Sequence, residues 1–219
     1  MNINWCGQSC FKISVKDKDT PATIIINPFS EETGLKLPKL EGDILLVSKK
    51  APDYNNTGKV AGPARNASHS DAGGNPFLVN GPGEYEIKKI FIQGIVAGDG
   101  TTIYVIDAED IRICLLAGLS KKQLDEEQLE TVGDVDILLI PVGGGEVISA
   151  KEALEIMSQI EPSITIPIHY DLPKLNSKLD KLEEFLKAIG VKSIAPIDSF
   201  SIKKKDISKE EAKIIVLNA

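Results

Sequence analysis

The sequence predicts an α/β fold in which β-sheets are layered against helices, and three observations support this prediction. Short β-branched segments fill the first half of the chain. Helical and strand patterns alternate in the second half. Ile137–Pro141 is wholly apolar, which is typical of a strand buried on both faces, and Ile164–Ile168 is predicted to be another buried strand. A strand-rich half followed by strand–helix–strand units indicates a layered α/β sandwich with helices outside.

The predicted strands of the first half are bounded by turn residues and rich in β-branched side chains. They are residues 10–15, 23–26, 44–47, 77–79, 91–95, 102–107 and 111–115. Residues 80–83, with the sequence Asn-Gly-Pro-Gly, are predicted to form a turn. Periodicity is lost between residues 55 and 75, which are therefore predicted to form a long surface loop.

Two capping boxes predict the starts of helices in the second half. Ser120 with Gln123 predicts a helix that continues to about residue 130. Ser149 with Glu152 predicts a second helix, whose apolar residues recur at helical spacing as far as Ile160.

The end of the chain shows one further helical pattern and one further strand. Apolar residues recur at helical spacing from 179 to 189, and Gly190 is predicted to end that helix. Residues 214–217 are predicted to form the last strand. Because no linker rich in Pro, Gly or Ser separates two cores, the sequence predicts a single domain over residues 1–219.

Composition excludes several classes of protein. Of the 219 residues, 42% are hydrophobic and 26% are charged, which excludes a mainly disordered chain. A net charge of -7 argues against nucleic acid as a partner, because such binding relies on basic surfaces. The apolar runs are far shorter than the ~18 residues that span a bilayer, so no membrane association is predicted. The N-terminus lacks the pattern of a signal peptide, and the expected compartment is the cytoplasm.

The chain has three cysteines, too few for a disulfide framework. Cys6 and Cys10 lie four residues apart in a predicted strand–turn–strand, and Cys114 is distant in sequence. All three are predicted to be buried thiols.

Five short motifs follow one another along the chain. They are residues 5–11 (WCGQSCF), 33–38 (TGLKLP), 81–86 (GPGEYE), 141–144 (PVGG) and 166–170 (IPIHY). In this order and spacing they resemble the metallo-β-lactamase superfamily, and within it the small metal-dependent hydrolases related to ascorbate-phosphate lactonase. The resemblance implies a four-layer αββα sandwich with a two-metal site at the edge of the sheets.

The resemblance also implies a ligand set, most of which this chain lacks. Members of the family carry a His-x-His-x-Asp-His loop after a buried strand. The matching loop here places Lys49, Ala51 and Tyr54 at the three histidine positions and retains only Asp53. A cationic Lys49 would also oppose a divalent ion.

The later ligand positions are also altered. Leu115 and Gly118 stand where the family has a His and a bridging Asp. The short link between the strands at 91 and 102 carries no His, and Asn27 replaces a frequent Asp. The last family ligand is retained as His169.

The count of histidines decides against a dinuclear site of the family type. The chain contains 2 histidines, His69 and His169, whereas two zinc ions need several imidazoles and carboxylates. No cofactor is therefore predicted. His69 with Asp71 in the polar loop is an alternative metal site, although a surface histidine is the favoured interpretation.

Each candidate site residue has a functional and a structural interpretation. His169 is a residual metal ligand or acid/base group, or a buried relic of the fold. Asp53 is a base or weak metal ligand, or it forms an ion pair with Lys49 or Lys50 or caps a turn. Lys49 is a base or nucleophile, or a solvated charge. Tyr54 binds a ligand, or fills the volume that metal ions would occupy. The structural interpretation is favoured for all of them.

Three functions remain open. The leading hypothesis is a catalytically degenerate family member that binds or assembles with a small molecule or a protein. The alternative is a hydrolase with a metal-free site, or with one zinc or other divalent ion, around Asp53 and His169. The third is a structural subunit with a filled cleft. The family resemblance leaves homo-oligomer formation open.

Overall fold

The structure, a computed structural model, describes residues 1–63, 74–98 and 100–219. In chain order the strands are β1 (Asn2–Trp5), β2 (Phe11–Val15), β3 (Ala22–Ile26), β4 (Leu40–Glu41), β5 (Ile44–Leu46), β6 (Val60–Ala61), β7 (Phe77–Val79), β8 (Gly83–Ile87), β9 (Ile90–Gly98), β10 (Thr101–Ala108), β11 (Ile111–Leu115), β12 (Ile137–Pro141), β13 (Ile164–Ile168), β14 (Phe200–Ser201) and β15 (Lys213–Ile214). The α-helices are α1 (Glu126–Val132), α2 (Ala150–Ile160) and α3 (Leu182–Ala188).

Two mixed sheets face each other. The first has the strand order β14-β1-β2-β3-β5-β7 and is antiparallel from β14 to β3 and parallel from β3 to β7. The second has the order β15-β13-β12-β11-β10-β9-β8 and is parallel from β15 to β11 and antiparallel beyond. The parallel strands of both sheets end at one edge, where the candidate site lies.

Alternation along β3 shows how the layers are separated. Ile24 and Ile26 join the core cluster shared with the second sheet, whereas Ile25 faces outward. On that outer face Ile25 packs with Phe29 and Leu40. This outer layer is supplied by a segment containing two 3₁₀ helices and the small β4–β6 sheet. The predicted αββα sandwich class is confirmed. α1 and α2 lie against the second sheet, and α3 packs on α2.

The helix starts show one success and one error of the sequence prediction. The Ser149–Glu152 capping box is present, and α2 begins at Ala150, directly after the N-cap residue Ser149. The box predicted at Ser120 is wrong, because α1 begins later, with Asp125 and Gln128 forming the reciprocal bonds. α3 is shorter than predicted.

Several strand predictions also need correction. β8 was not predicted, because its glycine and exposed glutamates conceal a strand on the edge of the second sheet. β9 extends beyond the predicted 91–95, and β15 occupies 213–214 rather than 214–217. The predicted loop over 55–75 contains a 3₁₀ helix at Thr57–Lys59 and β6 in its described part.

Within the described ranges, no helix combines the length and the apolar sequence needed to cross a bilayer.

Candidate functional site

The candidate site forms where the carboxyl ends of several strands meet the turn between β1 and β2. His169 directly follows β13, and Tyr54 lies in the turn after β5. Gly118 follows β11. Since parallel strands end at the same edge of a sheet, chain segments that are far apart in sequence meet here.

The imidazole of His169 is held from several sides. Its backbone has a positive φ of 52°, and its N–H donates to the carbonyl of Gln8 at 3.2 Å. Nδ1 of the ring lies 3.1 Å from Oγ of Ser9, which is a hydrogen-bond distance. The ring stacks on Tyr54 with a centroid separation of 5.8 Å and an interplanar angle of 9°. His169 is 3% exposed, so these contacts replace solvent.

Burial and charge keep His169 neutral. Burial is the main cause that lowers its pKa to about 4, and the positive charge of Lys49 contributes further. A neutral imidazole at neutral pH retains a lone pair, but here one ring nitrogen is already engaged with Ser9.

Tyr54 lies among positions where the family resemblance implies metal ligands. Its side chain is buried and contacts both His169 and Gly118. A Cβ added to Gly118 would lie 3.4 Å from two ring carbons of Tyr54 and from its hydroxyl oxygen. Leu115 is wholly buried in the main core cluster. Because Gly118 has no side chain, the Tyr54 ring can pack close to the backbone there.

Asp53 faces a different neighbour from the one expected. Burial raises the pKa of its carboxyl, and the negative charge of Glu146 raises it further. In the described part of the chain Asp53 forms no ion pair, so the pairing expected with a nearby lysine is not formed. Asp53 and His169 share no hydrogen bond there either, although Asp53 is adjacent to Tyr54 in the chain.

Asn27 serves a structural role at the position where the family often has Asp. Its side-chain N–H donates to Oγ of Ser48 at 3.1 Å, and its Oδ1 accepts from the Ser48 N–H at 2.8 Å. These bonds join the ends of β3 and β5. An aspartate could not make the first of them unless it were protonated or the serine hydroxyl donated.

Sequence reasoning missed Gln8, Ser9 and Glu146 as neighbours of the site. Gln8 and Ser9 are wholly buried in the turn between β1 and β2, and both contact His169. The side-chain amide of Gln8 forms no hydrogen bond within the described residues. The signal that could have revealed this pair is two adjacent polar residues inside an otherwise apolar hairpin motif.

Comparison with known proteins identifies the family. Residues 2–169 match the family described as the Beta-lactamase superfamily domain. The chain belongs to this superfamily. It is 27% identical over 220 residues to a UPF0173 protein of Pyrococcus furiosus, a match that covers 92% of this chain and 100% of that protein. It is also 24% identical over 216 residues to a UPF0173 metal-dependent hydrolase of Natranaerobius thermophilus, which covers 88% and 93% of the two chains.

A solved structure extends the similarity to the whole fold. It is a crystal structure from Thermotoga maritima of a protein assigned to the Zn-dependent hydrolases of the metallo-β-lactamase superfamily. The TM-score is 0.75 at 26% sequence identity, with 100% of both chains covered.

The described residues of this superfamily member do not fit a dinuclear metal centre. No group of three or more His, Cys, Asp or Glu side chains in the described ranges is placed to hold a metal ion. The retained residues, Asp53 and His169, face Glu146 and Ser9 respectively. His69 and Asp71 lie outside the described residues.

A cavity of about 440 Å³ is lined by Lys49, whose charge acts on His169, but not by His169 or Tyr54. Lys49 and Lys50 give it positive charge, and Thr101 and Thr102 add polar groups. Its described lining contains no Asp or Glu. The remaining described lining residues are Val47, Ser48, Asn80, Gly81, Pro82, Val96 and Gly100.

Proposed function

We propose that this chain is a catalytically degenerate member of the β-lactamase superfamily that binds a small anionic molecule beside the inherited metal cleft. The observation that carries the proposal is the packing of His169 against Tyr54 and Ser9. His169 is the last retained family ligand, and these contacts bind its ring to other side chains of the protein. The cavity lined by Lys49 and Lys50 favours binding over a purely structural or assembly role.

The chemistry of the superfamily supports this proposal by contrast. Metal-assisted hydrolysis needs ions that lower the pKa of a bound water and stabilise developing negative charge. The described side chains around His169 offer a neutral imidazole, a tyrosine ring and a lysine in place of a cluster of ligands. Such a set does not supply a metal-bound hydroxide.

The ligand class follows from the lining of the cavity. Lysine ammonium groups bind carboxylates and phosphates through charge-assisted hydrogen bonds. The hydroxyl groups of Ser48 and Thr101 are already bonded to Asn27 and to the Gly118 carbonyl. The charge of the lining therefore comes from the ammonium groups of Lys49 and Lys50. These groups match a small carboxylate or phosphate compound, which we take as the unknown small-molecule partner.

Metal content of the purified chain is the first test. After incubation with zinc, manganese or iron(II) and removal of excess ion, elemental analysis should find far less than one equivalent of each. Retention of one or more equivalents would overturn the proposal. Loss of that metal in His169→Ala or Asp53→Ala would then locate a rebuilt site.

Inorganic phosphate provides a second readout of the same proposal. Because a ligand that binds only the folded state stabilises it, phosphate should raise the melting temperature of the wild-type chain. The increase should be smaller in Lys49→Gln and Lys50→Gln, whereas matched concentrations of chloride should reproduce none of it. A phosphate-induced increase in both variants that equals the wild-type increase would contradict anion binding in this cavity.

The alternative function is a hydrolase with a metal-free or mononuclear site. It is favoured by one observation, the pKa of Asp53 raised by burial and by Glu146. A raised pKa makes a carboxyl better suited to act as a general acid than an ordinary aspartate. Stoichiometric zinc or another divalent ion in the metal analysis would favour this reading.

The expected compartment remains the cytoplasm, and neither nucleic acid nor a membrane is proposed as a partner. Formation of a homo-oligomer is tested by measuring the mass of the folded chain in solution.

A further inference from the structure

Cys6 and Cys10 lie directly opposite each other across the neck of the β1–β2 hairpin. The register of the hairpin pairs Asn4 with Lys12 and Trp5 with Phe11, so the next pair is Cys6 and Cys10. The Cys6 N–H donates to the Cys10 carbonyl at 2.8 Å, which continues the ladder. The Cys10 N–H donates to Gly7 instead, which begins the turn. Directly opposed residues of an antiparallel pair have Cα atoms about 4.5–5.5 Å apart, within the roughly 4.4–6.8 Å that a disulfide spans.

Both side chains also point to the same face of the hairpin. Cys10 belongs to the outer core cluster with Ile25 and Phe29, and Cys6 packs against that same cluster. Opposed residues on one face of an antiparallel pair have neighbouring Cβ atoms. The two sulfurs are therefore presented to each other rather than to opposite sides of the sheet.

The two thiols differ in access and in acidity. Cys6 is partly exposed, so its predicted burial is wrong, whereas Cys10 is wholly buried. Hydrogen bonding from the Cys10 thiol lowers the pKa of Cys6, burial opposes this, and the charge of Lys12 adds to the lowering. Burial raises the pKa of Cys10 well above its usual value. The accessible cysteine is thus the one favoured as a thiolate, which is the reactive form.

We propose that Cys6 and Cys10 form a reversible redox pair, in which Cys6 reacts first with a peroxide and Cys10 then closes an intrachain disulfide. This site is separate from the proposed binding cavity and does not depend on it. Cys114 takes no part in it, because it is wholly buried and burial raises its pKa to about 12.

The reaction is balanced with hydrogen peroxide as the oxidant. The Cys6 thiolate attacks one peroxide oxygen, so that an S–O bond forms and the O–O bond breaks. The hydroxide released takes up a proton, leaving a sulfenic acid and one water. The Cys10 sulfur then attacks the Cys6 sulfur, an S–S bond forms, and the S–O bond breaks. The sulfenic oxygen leaves as a second water with the Cys10 proton.

The position of the pair connects its redox state to the candidate site. Gln8 and Ser9 lie between the two cysteines in the chain, and both contact His169. A covalent link from Cys6 to Cys10 would close a short ring around these residues. Oxidation is therefore expected to change the environment of the His169 imidazole.

The test is to oxidise the folded chain with hydrogen peroxide and then label remaining thiols with N-ethylmaleimide in denaturant. The oxidised protein should carry one label, on Cys114, and dithiothreitol should restore labelling of all three cysteines. Trypsin should release residues 1–12, which contain both reactive cysteines and no internal cleavage site, lighter by two hydrogen atoms. Full labelling of Cys6 and Cys10 after oxidation would overturn the proposal.

Matched serine variants separate the two steps, and circular dichroism confirms that each is folded. Cys10→Ser should stop at a sulfenic acid on Cys6, which dimedone traps. Cys6→Ser should leave Cys10 reduced, and Cys114→Ser should form the disulfide as the wild type does. Equal oxidation of Cys10 in Cys6→Ser would contradict the assigned order. In the wild type, the His169 imidazole proton signals should move on oxidation and return on reduction.

Discussion

The protonation state of His169 makes the folded chain sensitive to acid. In the unfolded state this histidine binds a proton near pH 6.5, whereas in the fold burial delays protonation to about pH 4. Between these values the unfolded state binds more protons, so the free energy of unfolding falls as the pH falls. The stabilisation is fully present above pH 6.5 and is lost as the pH approaches 4.

We expect acidification over this window to cost about 3 kcal/mol of unfolding free energy through His169. His169→Asn removes the titration, and asparagine tolerates the positive φ at this position. The difference between wild type and variant, measured by urea unfolding at several pH values, isolates this group from the carboxylates. Parallel pH profiles of the two proteins, or a His169 proton titrating near pH 6.5 by NMR, would show that the imidazole is not buried in a neutral state.

At the residue scale, the sequence indicated which residues to examine but not their neighbours. The resemblance singled out His169 and Tyr54, which lie in contact, and also Asp53, which faces Glu146 instead. The partners Ser9 and Gln8 come from a turn some 160 residues away, brought together by the meeting of the sheets. Single-sequence patterns report local periodicity, so they carry no information on such long-range contacts.

Among the structural elements, the loop after β12 supports the candidate site by backbone contact. Gly143 in this loop lies so close to the end of β13 that an added Cβ would be 2.2 Å from the carbonyl oxygen of His169. Backbone atoms cannot move aside as a flexible side chain can. Gly143 therefore allows close backbone packing under His169.

Gly143→Ala should destabilise the chain by roughly 1–3 kcal/mol, because the overlap forces a backbone shift at His169. The measurements are urea unfolding and the position of the His169 imidazole signals. Gly58→Ala is the matched control, since a Cβ there meets no atom within 4 Å, and it should change stability by less than about 0.5 kcal/mol. Equal stability of the two variants, with unmoved His169 signals, would contradict the close approach.

Element prediction succeeded where the hydrophobic pattern was strong. β12 and β13 are bounded as predicted, because strands buried on both faces have nearly continuous apolar runs, interrupted in β13 only by Thr165. α1 was misplaced because Ser120 and Gln123 have the spacing of a capping box, whereas Asp125 and Gln128 make the actual bonds. β8 escaped prediction because its side chains are largely exposed and it belongs to an edge.

For the whole molecule, residues beyond the family match complete the fold. The match ends at residue 169, yet β15 pairs with β13 and β14 pairs with β1. Phe185 of α3 is wholly buried in the cluster that also contains Trp5 of the first sheet. This shared core agrees with the expectation of a single domain. That expectation stays a prediction, namely that the chain unfolds as one cooperative unit.

We expect Phe185→Ala to lower the unfolding free energy by about 3–5 kcal/mol, as removal of a buried aromatic ring does. If the chain is one cooperative unit, fluorescence of its 1 tryptophan, Trp5, and circular dichroism should report the same lowered urea midpoint. Phe77→Ala is the matched control, because Phe77 is 50% exposed and its loss should change stability far less. A Trp5 transition that stays at the wild-type midpoint while circular dichroism shows earlier unfolding would mean that the C-terminal part unfolds separately. The layers around the candidate site would then belong to two folding units, and the contacts that hold His169 would depend on their docking.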